Sequence, residues 1–294
     1  MPKIEYITVN MRDDTLRVIH QANSIIGEYQ AQGFTLTLRQ LYYQFVSRDL
    51  LPNTMRSYKR LGNIVNDGRL AGLIDWKAIE DRTRNVQSLG TWDSPSDILR
   101  AVAEQYRLDL WANQKYRPEV WIEKEALAGV IEGVCQELRI SFFCCRGYVS
   151  QSEMWSSAMR LHQTQQRGQT PLILHFGDHD PSGIDMTRDI VDRMELFMGG
   201  PELQRMALNM DQVEKYRPPP NPAKITDSRF EGYSRQYGDE SWELDALEPR
   251  VIGDLIREKV LAVRDEGFWE ESLEEENDDK GKLSLAADRI DNDE

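Results

Sequence analysis

Leu172-Ile173-Leu174-His175-Phe176-Gly177-Asp178-His179-Asp180-Pro181-Ser182-Gly183 reads as a buried strand running directly into a turn and the start of a helix. Two further apolar runs of strand length precede it, Val120-Trp121-Ile122 and Ile140 to Cys145. Helical patterns separate the runs, over 125–138, 151–166 and 183–198, the second opening on the capping box Ser150-Gln151-Ser152-Glu153. Strands that alternate with helices predict an α/β fold in which parallel strands are joined by crossover helices. Pro218-Pro219-Pro220-Asn221-Pro222 is a stiff loop that cannot lie in a sheet centre. Trp242 to Leu247 reads as another strand, and 250–263 as an amphipathic helix.

Upstream of about residue 112 the pattern changes to nearly continuous helix. Residues 12–31 carry Leu16, Ile19, Ala22, Ile25, Ile26 and Tyr29 near helical spacing. Thr37-Leu38-Arg39-Gln40 is a capping box that opens a second helix, and 54–73 reads as a third. Ile74-Asp75-Trp76-Lys77-Ala78-Ile79 is short and strand-like, and Glu80-Asp81-Arg82-Thr83-Arg84 follows. Helices and then a small extended element with basic residues is the order of a winged helix-turn-helix. The expected organisation is a mainly helical DNA-binding unit over 1–112, an α/β unit over 113–264 and an acidic tail over 265–294 that frays into a mobile end.

The chain of 294 residues carries 36 basic and 50 acidic residues, a net charge of −14. Such a total ordinarily argues against a nucleic-acid partner, but its distribution removes the argument. Residues 265–294 hold 13 acids and 3 bases, so −10 sits in the tail, whereas 35–84 hold 9 bases and 5 acids. The tail could mimic DNA and cover the basic face. No apolar run approaches the ~20 residues of a membrane span, and Met1-Pro2-Lys3-Ile4-Glu5 lacks a signal-peptide core. Three cysteines, Cys135, Cys144 and Cys145, cannot build a disulfide framework. The expectation is a cytoplasmic, nucleoid-associated protein with no membrane partner.

In an open α/β sheet, ligands bind beyond the carboxyl ends of the strands. Glu123, Asp178 and Asp180 lie there, and mutually repelling acids at strand ends suit an oxygen-ligated Mg²⁺ or Mn²⁺. On spacing alone, Asp180 reads equally as the cap of a helix. His175 and His179 straddle a strand end and a turn with no third ligand at useful spacing, which argues against zinc. On the second helix, Leu38, Leu41, Tyr42 and Phe45 form the apolar stripe. Tyr43 then faces outward beside Arg39, either as a surface pair or as a phenol whose ionisation the guanidinium favours. On the third helix, Arg56, Lys59, Arg60 and Asn63 fall opposite Tyr58, Leu61 and Val65. That layout, a phosphate-facing surface or a solvated one, continues through Arg69 toward Arg82 and Arg84.

Three of these motifs, in this order, resemble the A subunit of DNA topoisomerase VI and its meiotic recombination relatives, above all the compact stand-alone forms of phages and mobile elements. Arg39-Gln40-Leu41-Tyr42-Tyr43 matches the tyrosine motif, Glu123-Lys124-Glu125-Ala126 the glutamate motif and Asp178 to Gly183 the Asp-x-Asp-Pro-x-Gly motif. The resemblance covers roughly residues 35–250. It implies a CAP-like winged helix joined to a Rossmann-like Toprim domain with a mostly parallel sheet. It also implies Tyr43 as nucleophile on double-stranded DNA, forming a 5′-phosphotyrosyl link, with Arg39 steadying the reacting groups. Glu123, Asp178 and Asp180 would hold Mg²⁺, and the tyrosine of one protomer of a homodimer would meet the metal site of the other. Strand passage would need a separate ATPase subunit of the B type. Two alternatives stay open: a Toprim nuclease that uses metal-activated water, and a non-catalytic DNA-binding protein that retains the fold. A haloacid-dehalogenase-type phosphatase fits less well, since the Thr or Val expected two residues after Asp180 is absent.

Overall fold

A computed structural model describes residues 3–80 and 90–292. Helix α1 (Asp13–Gln30) buries the stripe Val18, Ile19, Ala22, Ile25, Ile26 and Tyr29, the side that its periodicity makes apolar. Helix α2 (Leu38–Ser47) opens on the capping box: Thr37 accepts from the Gln40 N–H, and the Gln40 side chain accepts from the Thr37 N–H at 2.9 Å. Helix α3 (Met55–Leu70) is capped by Thr54, which accepts from the Ser57 N–H at 3.1 Å. Leu41, Phe45, Leu61, Val65 and Ile74 close the helical core with α1.

The expected strand at Ile74–Ile79 is a correction: Ile79 makes only a single parallel bridge to Leu36. The stretch is a turn, where the Asp75 carboxylate accepts from the Lys77 N–H and the Arg69 guanidinium donates to the carbonyls of Trp76 and Ile79. The residue that faces it, Leu36, is followed at once by the α2 cap, so no longer partner strand is offered.

Helix α4 (Pro95–Gln105) leads to β1 (Tyr116–Ile122), a 3-10 turn Glu125–Leu127, α5 (Ala128–Glu137), β2 (Ser141–Cys144) and α6 (Gln151–Gln166). Then come β3 (Thr170–Phe176), α7 (Pro181–Met198), β4 (Glu202–Ala207) and α8 (Met210–Tyr216). The sheet is entirely parallel in the order β2-β1-β3-β4. Val120, Ile122, Leu174 and Phe176 fill one face against α5 and a later helix, Pro249–Val263, while Trp121 and Ile173 fill the other with Met154, Leu161, Ile190 and Met194 of α6 and α7. Burial on both faces explains why Val120-Trp121-Ile122 of β1 and Leu172-Ile173-Leu174 of β3 read as unbroken apolar runs.

A two-stranded antiparallel ribbon follows, β5 (Asn221–Pro222) with β6 (Glu240–Ser241), enclosing α9 (Phe230–Tyr237). The expected strand Trp242 to Leu247 is a second correction. Its middle is a 3-10 turn, Leu244–Ala246, because the Leu244 N–H is given to the Asp178 carboxylate at 2.8 Å rather than to a neighbouring strand. Trp242, Leu244 and Leu247 enter the sheet core, and Ala246 enters the helical core, so this segment joins the two.

Helices α10 (Pro249–Val263) and α11 (Glu266–Asn292) end the chain. The tail, read as a helix extension that frays, is one long helix packed along α4. Its acids have partners: the fully buried Glu276 accepts from the Leu108 N–H at 2.8 Å, from Arg139 at 2.9 Å and from Lys280 at 2.6 Å. Tyr106 donates to Asp279 at 2.9 Å, and Arg100 pairs with Asp288 at 3.2 Å. None of these named partners belongs to α3. Among the described residues no helix is long and apolar enough to cross a membrane.

Candidate active site

Strands β1 and β3 run side by side with Ile122 opposite Phe176, so the residues that leave their carboxyl ends emerge together. The Glu123 N–H donates to the Phe176 carbonyl at 2.9 Å, and the Asp178 N–H donates to Glu123 Oε2 at 2.9 Å. Asp180 caps α7, accepting from the Gly183 N–H at 2.5 Å. Gly183 is required by close approach: a Cβ there would lie 2.2 Å from the Asp178 carbonyl oxygen.

Beneath this loop lies Arg205 of β4. Its guanidinium donates to the carbonyls of Gly177 (3.1 Å), Asp178 (2.6 Å), Gly183 (3.0 Å) and Leu208 (3.2 Å), and to Thr187 Oγ1 (2.7 Å). Burial pulls its basicity down, with Glu123, Asp178 and Asp180 acting against that. Five bonds from one fork fix the backbone that carries both aspartates.

Burial raises the Glu123 carboxyl above its ordinary range; the Asp178 N–H and Lys124 oppose this, and Asp180 adds to it. Asp178 is raised well above its ordinary value by burial, with Lys124 opposing and Glu123, Glu243 and Asp245 reinforcing. Lys124 Nζ lies 2.8 Å from Asp178 Oδ1, pairs with Glu243 and lies 3.2 Å from Asp245 Oδ1. Burial works against its charge, but Asp178, Asp245 and Glu243 outweigh that and hold the proton more firmly than on a free lysine.

A pair of backbone bonds places Glu243 and Asp245. His179 and Trp242 exchange N–H···O=C bonds of 2.8 and 2.9 Å, so the chain after Trp242 runs past Asp178. The imidazoles are committed elsewhere. His175 Nδ1 is 2.9 Å from Thr187 Oγ1, and His179 Nδ1 is 2.8 Å from the Tyr233 hydroxyl, among Tyr233, Tyr237 and Trp242. Burial, aided by Arg205, lowers His175 to about 3 and His179 to about 4, so both are neutral at physiological pH.

Helix α2 meets this cluster directly. Arg39 Nε donates to Asp245 Oδ2 at 2.7 Å and Nη2 to Glu243 Oε2 at 3.3 Å. Arg39 also stands 5.6 Å from the centroid of the Tyr43 ring. Tyr43, expected to face outward, is 7% exposed and belongs to the helical core. The expected easing of its ionisation is also corrected: burial, then Asp245 and Glu243, raise the phenol, and Arg39 and Lys124 only partly offset them. Tyr42 is buried as its stripe predicts, with its hydroxyl 3.2 Å from the Pro52 carbonyl and accepting from the Thr54 N–H at 2.8 Å.

Tyr43 nonetheless reaches a cleft. A cavity of about 490 Å³ between α2–α3 and the β5–β6 ribbon is lined by Arg39, Tyr43, Tyr58, Asp180, Lys224 and Glu243, among others. Along α3, Arg56, Lys59, Arg60 and Asn63 share an exposed face, with Arg60 paired to Asp14 at 3.0 Å. Arg69 does not join them. It turns inward to backbone carbonyls and the Trp76 ring, a correction to its placement on the basic surface. Arg82 and Arg84 lie outside the described residues.

Glu123, Asp178 and Asp180 share one loop cluster, but among the described residues no three His, Cys, Asp or Glu side chains converge tightly enough to form a ready metal cage. Sequence reasoning passed over Arg205, Glu243 and Asp245, and it used Lys124 only as a motif letter. The alternation of acids in Glu243-Leu244-Asp245 was the one available signal, and it was read as a strand. No protein family, curated protein or solved structure matches this chain.

Proposed function

We propose that this chain cleaves and rejoins DNA through Tyr43, as a topoisomerase VI A-subunit-type enzyme, with α2–α3 as the helix pair of a winged helix and the parallel sheet as a Toprim domain. The observation that carries the reading is the shared cleft: Tyr43 and Arg39 line one wall, Asp180 lines another, and Glu123 and Asp178 stand beside Asp180. Folding brings the tyrosine motif and Asp180 to one opening, with Asp178 buried behind it and bonded through its N–H to Glu123.

In this reading the exposed face of Arg56, Lys59, Arg60 and Asn63 takes the DNA backbone and delivers a phosphodiester to the cleft. The Tyr43 oxygen attacks phosphorus as its phenolic proton leaves. The bond to the 3′ oxygen breaks, that oxygen takes up a proton, and the 5′ phosphate stays on the tyrosine. Arg39 supplies positive charge to the phosphoryl oxygens. The reverse attack by the 3′ hydroxyl rejoins the strand with no nucleotide consumed, and strand passage driven by ATP belongs to a separate ATPase subunit.

The donor chemistry of the acids suits a divalent cation. Burial raises both Glu123 and Asp178, with Asp180 adding to the first and Glu123 to the second, a cost that a hard cation relieves, and every donor is a carboxylate oxygen. Glu123, Asp178 and Asp180 would hold Mg²⁺, or Mn²⁺ in its place. The ion would supply charge neutralisation for the phosphoryl group. Lys124 and the Leu244 N–H both sit on Asp178 Oδ1, so the other carboxylate oxygen, Oδ2, would be the one to serve as ligand.

The test is a denaturing gel of DNA incubated with protein and Mg²⁺, run with and without protease. A protease-sensitive slow band that Tyr43→Phe abolishes, together with all cleavage, is the expected result. Unchanged cleavage by Tyr43→Phe refutes it and supports the second reading, hydrolysis by metal-activated water. The elevated protonation range of Tyr43 favours that alternative, since burial and two neighbouring acids hold the phenol neutral.

A further inference from the structure

We propose that the end of the sheet opposite Glu123, Asp178 and Asp180 holds a second binding site, in which Arg117, Arg139, Arg160 and Arg167 take a phosphate group. The site goes beyond the reading above and does not depend on it. A cavity of about 160 Å³ opens at the amino ends of β1 and β2, where Glu119 stands beside Ser141, and along the last turns of α6. The four arginines line it together with Glu119 and Thr164, among others. Arg117 lies near the start of β1 and Glu123 just past its end, so the cavity and the carboxylate cluster are about 20 Å apart along one strand.

Three of the guanidiniums are held by acids. Arg117 Nη1 reaches Asp109 at 2.6 Å, Arg139 Nη2 reaches Glu276 at 2.9 Å, and Arg160 grips the buried Glu119 through both terminal nitrogens. Arg167 pairs with no acid among the described residues, so four cations meet three carboxylates and one positive charge is left over. Pairing also leaves donors open. A guanidinium carries five N–H groups, and these contacts engage one nitrogen of Arg117, one of Arg139, two of Arg160 and none of Arg167. The acids therefore aim the forks without saturating them.

The surroundings are fixed before any ligand arrives. The carbonyls that end α6 would repel an anion, but they are already taken: the N–H groups of Arg167, Gly168 and Gln169 donate to Gln163, Gln165 and Thr164 at 3.2, 2.9 and 3.2 Å. The Gln169 amide donates to the carbonyls of Trp111 at 2.6 Å and Gln114 at 2.8 Å, and Trp121 Nε1 donates to Glu119 Oε1 at 2.8 Å. Such pre-organisation lowers the ordering cost of binding.

Size and charge select the ligand. The volume is below the roughly 300–1,000 Å³ of pockets for drug-sized molecules, so it admits a small oxyanion rather than a whole nucleotide. Four forks exclude a cation. A carboxylate has two oxygens to share among them, whereas a phosphate offers more acceptors and the higher charge, and guanidinium geometry matches it bidentately. The ligand is free phosphate or the terminal phosphate of a nucleotide whose nucleoside stays outside.

Isothermal titration calorimetry of the full chain, in chelator at constant ionic strength, tests this with inorganic phosphate, thymidine 5′-monophosphate and thymidine as separate titrants. The expected result is one phosphate group bound per chain with a dissociation constant of about 1 mM or lower. Arg167→Ala and Arg117→Ala, each checked for folding by circular dichroism, should weaken that binding about tenfold or more, the scale of losing a charge-assisted hydrogen bond. Lys59→Ala, on the basic face of α3, should leave it unchanged. Binding of inorganic phosphate alone supports the site with the free ion as its source, and binding of the monophosphate but not of thymidine supports it with a terminal phosphate as its source. The proposal is overturned if neither phosphate binds at concentrations about tenfold above that constant, if thymidine binds as well as its monophosphate, if the folded arginine variants keep wild-type affinity, or if Lys59→Ala abolishes binding.

Discussion

Replacing Asp245 with alanine isolates the stability held in the joint between the helical unit and the sheet. The substitution leaves Arg39 and Lys124 without a shared, fully buried carboxylate. Removing one partner of a buried pair generally costs about 3–5 kcal/mol. Two features reduce that here. Arg39 is 45% exposed and can rehydrate, and Lys124 keeps Asp178 at 2.8 Å as well as Glu243. Solvent screening of a half-exposed partner brings the Arg39 contribution to about 1–2 kcal/mol, so a total loss of about 2–4 kcal/mol is expected. A chain of this size should lose roughly 2–4 °C of melting temperature per kcal/mol. Urea titrations of wild type, Asp245→Ala, Arg39→Met and the double variant form the cycle that measures the pair alone. A coupling energy of about 1–2 kcal/mol is the expected result, whereas additivity within about 0.5 kcal/mol would show that the two side chains share no energy and refute the reasoning.

Gly183→Ala should destabilise the fold by about 2–3 kcal/mol, the scale of overpacking a rigid site, because the added methyl would lie 2.2 Å from the Asp178 carbonyl oxygen; an unchanged thermal midpoint contradicts the tight loop. Asp185 is held down to about 2 by its hydrogen bond to Arg188, with burial opposing and Tyr148 and Arg229 assisting. Its contribution is fully present above the unfolded value of roughly 3.9 and is lost as pH falls toward 2, so the melting difference between wild type and Asp185→Asn should close over that window, and a difference that persists at pH ~2 counts against the pairing. Glu276→Ala removes the buried acceptor of three donors and should cost about 3–5 kcal/mol while speeding tryptic cleavage at Lys280 and Lys282; a tail as resistant as wild type would mean that it is held some other way.

The parallel sheet was legible because strands buried on both faces favour apolar runs, and Val120-Trp121-Ile122 of β1 and Leu172-Ile173-Leu174 of β3 are such runs. Strand β4 escaped notice because its exposed and half-buried edge positions, Glu202, Gln204 and Arg205, break the apolar run. Caps at Thr37 and Ser150 were readable because a cap is a local bond between residues three apart. The position of Tyr43 was not, because helical periodicity names the stripe facing the nearest core but is silent on a second element covering the opposite face. The 3-10 turn at Leu244–Ala246 supplies that cover. Glu243-Leu244-Asp245 looked like a strand because alternation is all that sequence shows, whereas its conformation follows from Asp178 taking the Leu244 N–H, a contact made across 66 residues. The docking of the tail helix was hidden for the same reason: charge counting cannot see that Leu108 and Arg139 wait for Glu276.

The charge at the centre bears on what the site requires. Glu123, Asp178, Asp180, Glu243 and Asp245 face Lys124, Arg39 and Arg205, so five carboxylates meet three cations and the formal balance is negative. Under the proposed function, a phosphodiester entering this cleft would meet repulsion from the acids even though the basic face of α3 would attract the rest of the backbone. A divalent cation reverses the local sign, so DNA affinity should rise with Mg²⁺ although added salt ordinarily weakens such binding. Binding of a short duplex, followed by anisotropy at constant ionic strength, should tighten when NaCl is exchanged for MgCl₂. Glu123→Gln should diminish that gain while leaving affinity in chelator at or above the wild-type level, because it removes one repelling charge along with one ligand. Equal Mg²⁺ responses from the two proteins would mean that the ion acts on the DNA alone and that the acids at the strand ends serve only to cap and brace the loop.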